Sequence, residues 1–396
     1  MPSSTSRRAR HGEAVKIAIV GYGIAASAAA AFLGRSGHEI DCFERGTPES
    51  PSGAGLLLGP GSFALLRELG IYDAACGNGA RVVRIIADTA SGRRLMELRF
   101  RVGSDGGFAL GIERATLIGL IRRAGSVHSS VRWGQTVLSV DPADGVLSTA
   151  SGEAFGPYDL VVAADGGGSA MRRASACLIR RDRLYRWAAL VSLLEDPSAK
   201  FDAAVIQRFS GTQHVSAWPV GRSAEGDGLR ISLSLNVPLD RAAAFAAGDE
   251  WRDAVARHSP ELALLLATPQ NANIFPIVYR YRDVVLSRLA VGRVVFIGDA
   301  AHSMSPQLGQ GVQLALEDAS LLAKTVGSVR DVATALATFE SERLARIAPL
   351  QRACRWTTPF FQSDSRMLAA LRDAAMPVVA RQPFVRARLR TLIGTA

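Results

Sequence analysis

Two clusters of glycine and acidic residues carry the clearest chemistry in the chain. The first is Gly21-Tyr22-Gly23-Ile24-Ala25-Ala26, a G-x-G-x-x-A pattern that directly follows the apolar run VKIAIV and opens an alanine-rich stretch. Gly21 permits a tight turn, Gly23 lets the backbone approach a pyrophosphate, and Ala26 is small enough for close helix–strand packing. The pyrophosphate would rest on unpaired N–H groups at the helix N-terminus. Glu44, about twenty residues further on at the end of the run EIDCFE, is placed to accept hydrogen bonds from ribose hydroxyls. This cluster predicts a dinucleotide and leaves open which one.

The second cluster is Gly298-Asp299-Ala300-Ala301-His302, followed by Pro306, by Gly309-Gln310-Gly311-Val312 and by a segment containing Glu317-Asp318-Ala319. An aspartate at the C-terminal end of a buried strand lies where ligands bind in parallel sheets. Asp299 can accept hydrogen bonds from a polyol such as a ribityl chain. A glycine-rich helix N-terminus offers N–H donors and a positive dipole end, suited to negative charge on a reduced flavin ring. His302 suggests a base, but a histidine in such a loop more often holds it by hydrogen bonds.

These clusters need elements to hold them. Residues 15–20 read as a strand buried on both faces, followed by a helix and a second strand at 39–44, a βαβ unit that nucleates a parallel sheet. RVVRIIAD and RRLMELRF flank Ser91-Gly92 and predict a hairpin. A helix follows from Ala115, and YDLVVAADGGG and RVVFIGDA are further buried strands. From about Arg183 to Arg280 the chain is β-rich with helical insertions, and RISLSLN alternates as a half-buried antiparallel strand does. A helix is expected over 311–326, and a mostly helical, arginine-rich tail from Val332.

The expected fold is therefore α/β: a Rossmann-like domain with a parallel sheet, interrupted by an antiparallel β domain and followed by C-terminal helices. The expected division assigns 15–75, 106–182 and 281–345 to the nucleotide domain and 76–105 and 183–280 to the substrate domain. Residues 346–396 are expected to form a helical segment, and 1–14 a disordered tail.

Composition narrows the class. The 396 residues are 48% hydrophobic and 21% charged, an ordinary globular balance long enough for two domains. The formal charge of +10 suggests an anionic partner, but lysine occurs only at Lys16, Lys200 and Lys324 and the arginines are scattered. No nucleic-acid motif accompanies them. Cys42, Cys76, Cys177 and Cys354 lie far apart without metal-ligand spacing, so neither a metal site nor a disulfide framework is expected, which fits a cytoplasmic protein. Residues 1–14 lack the apolar core of a secretory signal, and no stretch reads as a membrane span. The arginine-rich C-terminal segment suits packing on the nucleotide domain better than lying on a membrane.

Residues 298–319, GDAAHSMSPQLGQGVQLALEDA, resemble the second FAD-binding fingerprint of single-component flavoprotein monooxygenases of the para-hydroxybenzoate hydroxylase kind. Asp165-Gly166-Gly167-Gly168-Ser169-Ala170-Met171-Arg172 resembles that family's DG motif, associated with both FAD and the nicotinamide. Ile112-Glu113-Arg114 resembles the element whose arginine contacts FAD, and GAGLLLGP at 53–60 matches in place and character. The motifs run in the family's order from Val15 to about Leu344. Ala26 replaces the third glycine, Gly61-Ser62 stands where many relatives have asparagine, and Val312-Gln313 differs from the commoner residues after GQG.

The resemblance implies non-covalent FAD, with NADH or NADPH as transient reductant and dioxygen as co-substrate. A small aromatic substrate is implied, hydroxylated through a flavin hydroperoxide by a monomer or homodimer. It assigns Gly21, Gly23, Ala26, Glu44, Arg114, Asp165, Gly166, Arg172, Gly298, Asp299, Gln310 and Val312 to cofactor binding, and Pro306, Gly309 and Gly311 to the oxygen pocket. Epoxidation, Baeyer–Villiger oxidation, a non-oxygenating reductase and a non-enzymatic flavin module remain open. A flavin halogenase is disfavoured because Ala217-Trp218-Pro219-Val220 does not supply W-x-W-x-I-P. His214, Trp218, Tyr279, Arg280 and Tyr281 are candidates to line a substrate site under the β domain.

Overall fold

The computed structural model describes residues 14–48, 53–100, 107–175, 178–222, 228–328 and 331–382. The expected tail up to residue 13, Cys177 and the last fourteen residues lie outside these segments. A six-stranded sheet is ordered Ala290–Val291, Val294–Phe296, Leu160–Ala163, Lys16–Val20, Glu39–Glu44 and Ser129–Trp133. All neighbours are parallel except the edge pair Ala290–Val291 with Val294–Phe296. Leu160–Ala163 and Val294–Phe296 are apolar throughout and Lys16–Val20 is apolar after its first residue, as strands covered on both faces must be. Ile17, Ala18 and Ile19 and the whole of Leu160–Ala163 are fully buried.

Helix Ile24–Arg35 packs on this sheet through a run of small side chains, Ala26 and Ala28 to Ala31, all fully buried. Small residues let neighbouring backbones approach: a Cβ at Gly125 would stand 3.0 Å from the Ala31 Cα. Helix Gly311–Ser328 lies against the same alanine-rich helix and turns Leu314, Leu316, Ala319 and Leu322 inward. Helices Val332–Phe361 and Arg366–Val379 close the described chain, in agreement with the helical tail expected.

A seven-stranded sheet is ordered Ile277–Leu286, Ile179–Asp196, Leu229–Pro238, Gln213–Arg222, Ala204–Ser210, Arg84–Thr89 and Arg94–Arg99. The hairpin expected around Ser91-Gly92 forms its edge. The sheet is antiparallel with one exception that alternation did not predict, the parallel pairing of Arg84–Thr89 with Ala204–Ser210. One face buries Leu190, Val215, Ile231, Leu233 and Leu235 against helices Ala242–Ala247, Glu250–His258 and Pro260–Leu266, with Trp251 in the same cluster. The other face is more polar and turns toward the nucleotide-binding sheet. A three-stranded sheet, Gly55–Leu58, Ala109–Glu113 and Ala80–Val82, bridges the two.

Candidate active site

Because their strands are parallel, Gly21, Glu44, Asp165 and Gly298 all stand at one edge of the nucleotide sheet, the carboxyl edge. Gly21 has φ +95°, and a Cβ there would lie 2.6 Å from the Ala164 carbonyl oxygen, so only glycine makes this turn. Gly23, at the N-cap of helix Ile24–Arg35, has open space where a Cβ would stand. The Glu44 carboxylate accepts from the Tyr22 N–H at 2.7 Å and the Gly46 N–H at 2.8 Å, which fixes the turn against the second strand. Arg122, not singled out by its sequence context, donates to the Tyr22 carbonyl at 2.6 Å. Its guanidinium lies 4.6 Å from the Tyr22 ring centre and 5.0 Å from that of Trp133.

Across the sheet, Gly298 has φ +58° and donates its N–H to Asp318 at 2.7 Å. The same carboxylate oxygen meets His302 Nε2 at 2.7 Å, and the other accepts from Arg343 Nε at 2.6 Å. His302, Asp318 and Arg343 are all buried. Burial alone would raise the Asp318 pKa. The His302 and Arg343 charges and the Gly298 N–H outweigh burial and hold the carboxyl below its ordinary value. His302 thus has the loop-holding role rather than access to a ligand. Asp299 is exposed, as a ribityl ligand must be.

The loop continues through exposed Pro306 to Gly309, which is left-handed at φ +62°, and Gly311 opens helix Gly311–Ser328. A Cβ at either glycine would meet nothing within 4 Å. Val312 is half-buried in the helix's first turn, where N–H groups lack intrahelical acceptors. Gln310 is buried, its side-chain oxygen without a partner among the described residues.

Asp165 accepts from the Ala170 N–H at 2.7 Å at the start of helix Ala170–Ala174, and its second oxygen has no partner among the described residues. Gly166, at φ +83°, is again open. Arg172 departs from expectation. It is fully enclosed and spends its guanidinium on Asp182 at 3.0 Å, the Ala300 carbonyl at 2.8 Å and the Gly167 carbonyl. It therefore ties the DG turn to the Gly298–His302 segment and does not reach a ligand. Arg114 is half-buried, its N–H bonded to the Ala54 carbonyl at 2.8 Å and its charge felt by Tyr279.

Open glycine positions on three loops, an orphaned carboxylate oxygen at Asp165 and an exposed Asp299 at one sheet edge fit FAD. A family model described as FAD binding domain matches residues 14–353, and the chain belongs to that family. The protein is a single-component flavoprotein monooxygenase. The FAD-dependent urate hydroxylase of Klebsiella pneumoniae is 28% identical over 365 residues, 85% of this chain and 88% of that one. The 3-amino-4-hydroxybenzoate 2-monooxygenase of Streptomyces cremeus is 29% identical over 365 residues, 86% of each chain. The crystal structure of Klebsiella pneumoniae HpxO complexed with FAD and uric acid has the same fold. It matches with a TM-score of 0.78 at 24% identity, over 96% of this chain and 97% of that one.

In the monooxygenase the large sheet overlooks this edge. The Val284 N–H bonds the Ser303 carbonyl at 2.9 Å, while Ala54 packs with Ala189, Val191, Tyr279 and Tyr281. Ser305, just before Pro306, meets Thr358 at 2.6 Å, and one turn later the Phe361 carbonyl accepts from Asn236 at 3.1 Å. Tyr279 and Tyr281 thus lie on the inward face of the large sheet. Arg280, alternating with them, is exposed and belongs to the opposite side, which corrects its candidacy. A cleft of about 600 Å³ between Trp187, Arg241, Arg257 and Arg366 contains none of the motif residues. Among the described residues no helix is long and apolar enough to cross a membrane.

Proposed function

We propose that the monooxygenase hydroxylates a small aromatic compound, using dioxygen and NADH or NADPH, with FAD lying along the carboxyl edge of the parallel sheet. The observation that carries this reading is the coincidence of open space at Gly23, Gly166, Gly309 and Gly311 with the inward face of the large sheet. FAD, when bound, supplies the redox chemistry, taking a hydride from the nicotinamide and activating dioxygen. Gly21 would make the turn and Gly23 would let the N–H groups opening helix Ile24–Arg35 approach the pyrophosphate, while Glu44 and Asp299 would accept from the ribose and ribityl hydroxyls. The N-terminus of helix Gly311–Ser328 stabilises negative charge at the flavin ring, with Gln310 and Val312 bordering it. Pro306, which has no N–H to donate, and Gly309 shape the space above the ring. Arg114 would supply a cation to the bound cofactor.

The test is an absorption spectrum of the purified protein, then NAD(P)H and dioxygen consumption across phenols, quinolones and polyketide aromatics. Flavin bands near about 370 and 450 nm, with NAD(P)H oxidation coupled to an oxygenated product, are the expected result. Absence of flavin after reconstitution with FAD, or reductant oxidation that yields no oxygenated product with any ring tested, would refute it.

A further inference from the structure

Three rows of side chains cross the inward face of the large sheet. The middle row is Gln207, Ser216, Ser234 and Val191, one from each of four adjacent strands in register. Beside it on one flank lie His214, Asn236, Ala189 and Tyr279, and on the other Trp218, Ser232 and Leu193. The first flank is anchored to the Pro306 loop by way of Thr358 and Phe361. The second is anchored at Gly55, whose N–H bonds Ser232 at 3.2 Å. The middle row therefore spans the interval between the two anchors.

None of these side chains carries a charge at neutral pH. Burial, together with Arg372 and His258, pushes the His214 pKa down to about 3, and burial raises the Tyr279 and Tyr281 phenols. The arginines bordering the face are spent. Arg230 lies between Glu113 at 2.7 Å and Glu195 at 2.9 Å, and Arg181 and Arg355 both pair with Asp283. Arg372 pairs with Asp373 and donates to the Phe360 and Gly211 carbonyls. Arg114, against Tyr279, is the cation the proposed function gives to FAD.

A carboxylate laid on this row would be desolvated with no countercharge. A neutral ring edge would instead be satisfied, because the Gln207 carboxamide both donates and accepts and each hydroxyl can do either. Trp218 Nε1 adds a buried donor that has no partner among the described residues.

We infer that the substrate is an electrically neutral aromatic or heteroaromatic ring with adjacent donor and acceptor groups, read by Gln207, Ser216 and Ser234, and that carboxylate-bearing rings are rejected. This rests on the proposed function above. Its test is calorimetric titration of the FAD-loaded enzyme with matched pairs, 2-hydroxyquinoline against 2-hydroxyquinoline-4-carboxylate and catechol against 2,3-dihydroxybenzoate. Oxygen consumption is followed separately. The neutral member of at least one pair binds tenfold or more tighter. Gln207→Leu removes most of that advantage, whereas Gln207→Arg shifts preference toward the acid by tenfold or more. Equal or tighter binding of the acid in both pairs, or affinities unmoved by both Gln207 variants, would overturn the inference. Selective binding of the neutral ring without any oxygenated product would overturn the functional reading and leave the selectivity standing.

Discussion

The carboxamide of Gln313 fills the space that a side chain at position 61 would need. A Cβ on Gly61 would lie 2.7 Å from Gln313 Nε2 and 2.8 Å from Oε1, and Glu317 holds that amide at 2.9 Å. The absence of a side chain at position 61 is what leaves room for this amide at the start of helix Gly311–Ser328. Gly61→Asn alone should overpack the site and cost about 1–3 kcal/mol. Combined with Gln313→Ala, it should recover about 1 kcal/mol or more, a coupling that a double-mutant cycle in urea measures. Additive effects would show that the two positions are independent.

Asp318 gathers the Gly298 N–H, His302 and Arg343 in a site closed to water. Replacing Arg343 by Met strands a buried carboxylate, so about 3–5 kcal/mol of stability is lost, visible as a lower Tm. The Asp318 pKa is depressed on folding, so its contribution is present above the unfolded value of about 3.9 and disappears as pH falls through the folded one. Asp318→Asn should be less stable at neutral pH and should lose less of its remaining stability below about pH 4 than the unaltered enzyme.

His214 stacks on Phe209 with ring centres 5.0 Å apart, and its folded pKa lies far below that of a free imidazole. Between about pH 6.5 and that folded value the unfolded chain binds a proton that the folded one refuses. Stability must therefore fall as pH drops through this window. His214→Gln should remove up to a few kcal/mol of that slope, measured as unfolding free energy at pH 6.5 and pH 4.5.

Gly21 and Gly23 separate folding from binding. A side chain at Gly21 meets the Ala164 carbonyl and a disfavoured φ, whereas one at Gly23 meets nothing. Gly23→Ala should leave apo-protein stability within about 1 kcal/mol and raise the Kd for FAD at least tenfold. Gly21→Ala should reduce the yield of folded protein. Unchanged FAD affinity in the Gly23 variant would remove the pyrophosphate from that turn.

Local signals were legible in the sequence. The Gly21–Ala26 turn, the Ser91-Gly92 hairpin and the helix opening at Gly311 each announce themselves within a few residues. Partnerships between distant segments were not. Nothing in the alternation of RVVRIIAD says that it will lie parallel to Ala204–Ser210, because a period of two specifies a face and not a neighbour. Arg172 is assigned to the cofactor by its motif and Arg343 carries no signal at all, because only the folded chain brings them their carbonyl and carboxylate partners. His302 was legible as a loop-holding residue, but its partner Asp318 was not.

The nucleotide-binding sheet is assembled out of chain order. Lys16–Val20 lies between Glu39–Glu44 and Leu160–Ala163, Val294–Phe296 joins beyond, and Arg343 arrives last to neutralise Asp318. At about 5–20 residues per second, a ribosome needs on the order of half a minute between the first strand and that arginine. Until Leu160–Ala163 emerges Lys16–Val20 waits with one hydrogen-bonding edge unpaired, and until Gly311–Ser328 emerges the alanine-rich helix lacks its partner. A pause in translation across the central β region therefore lengthens the time over which that unfinished surface is open to aggregation.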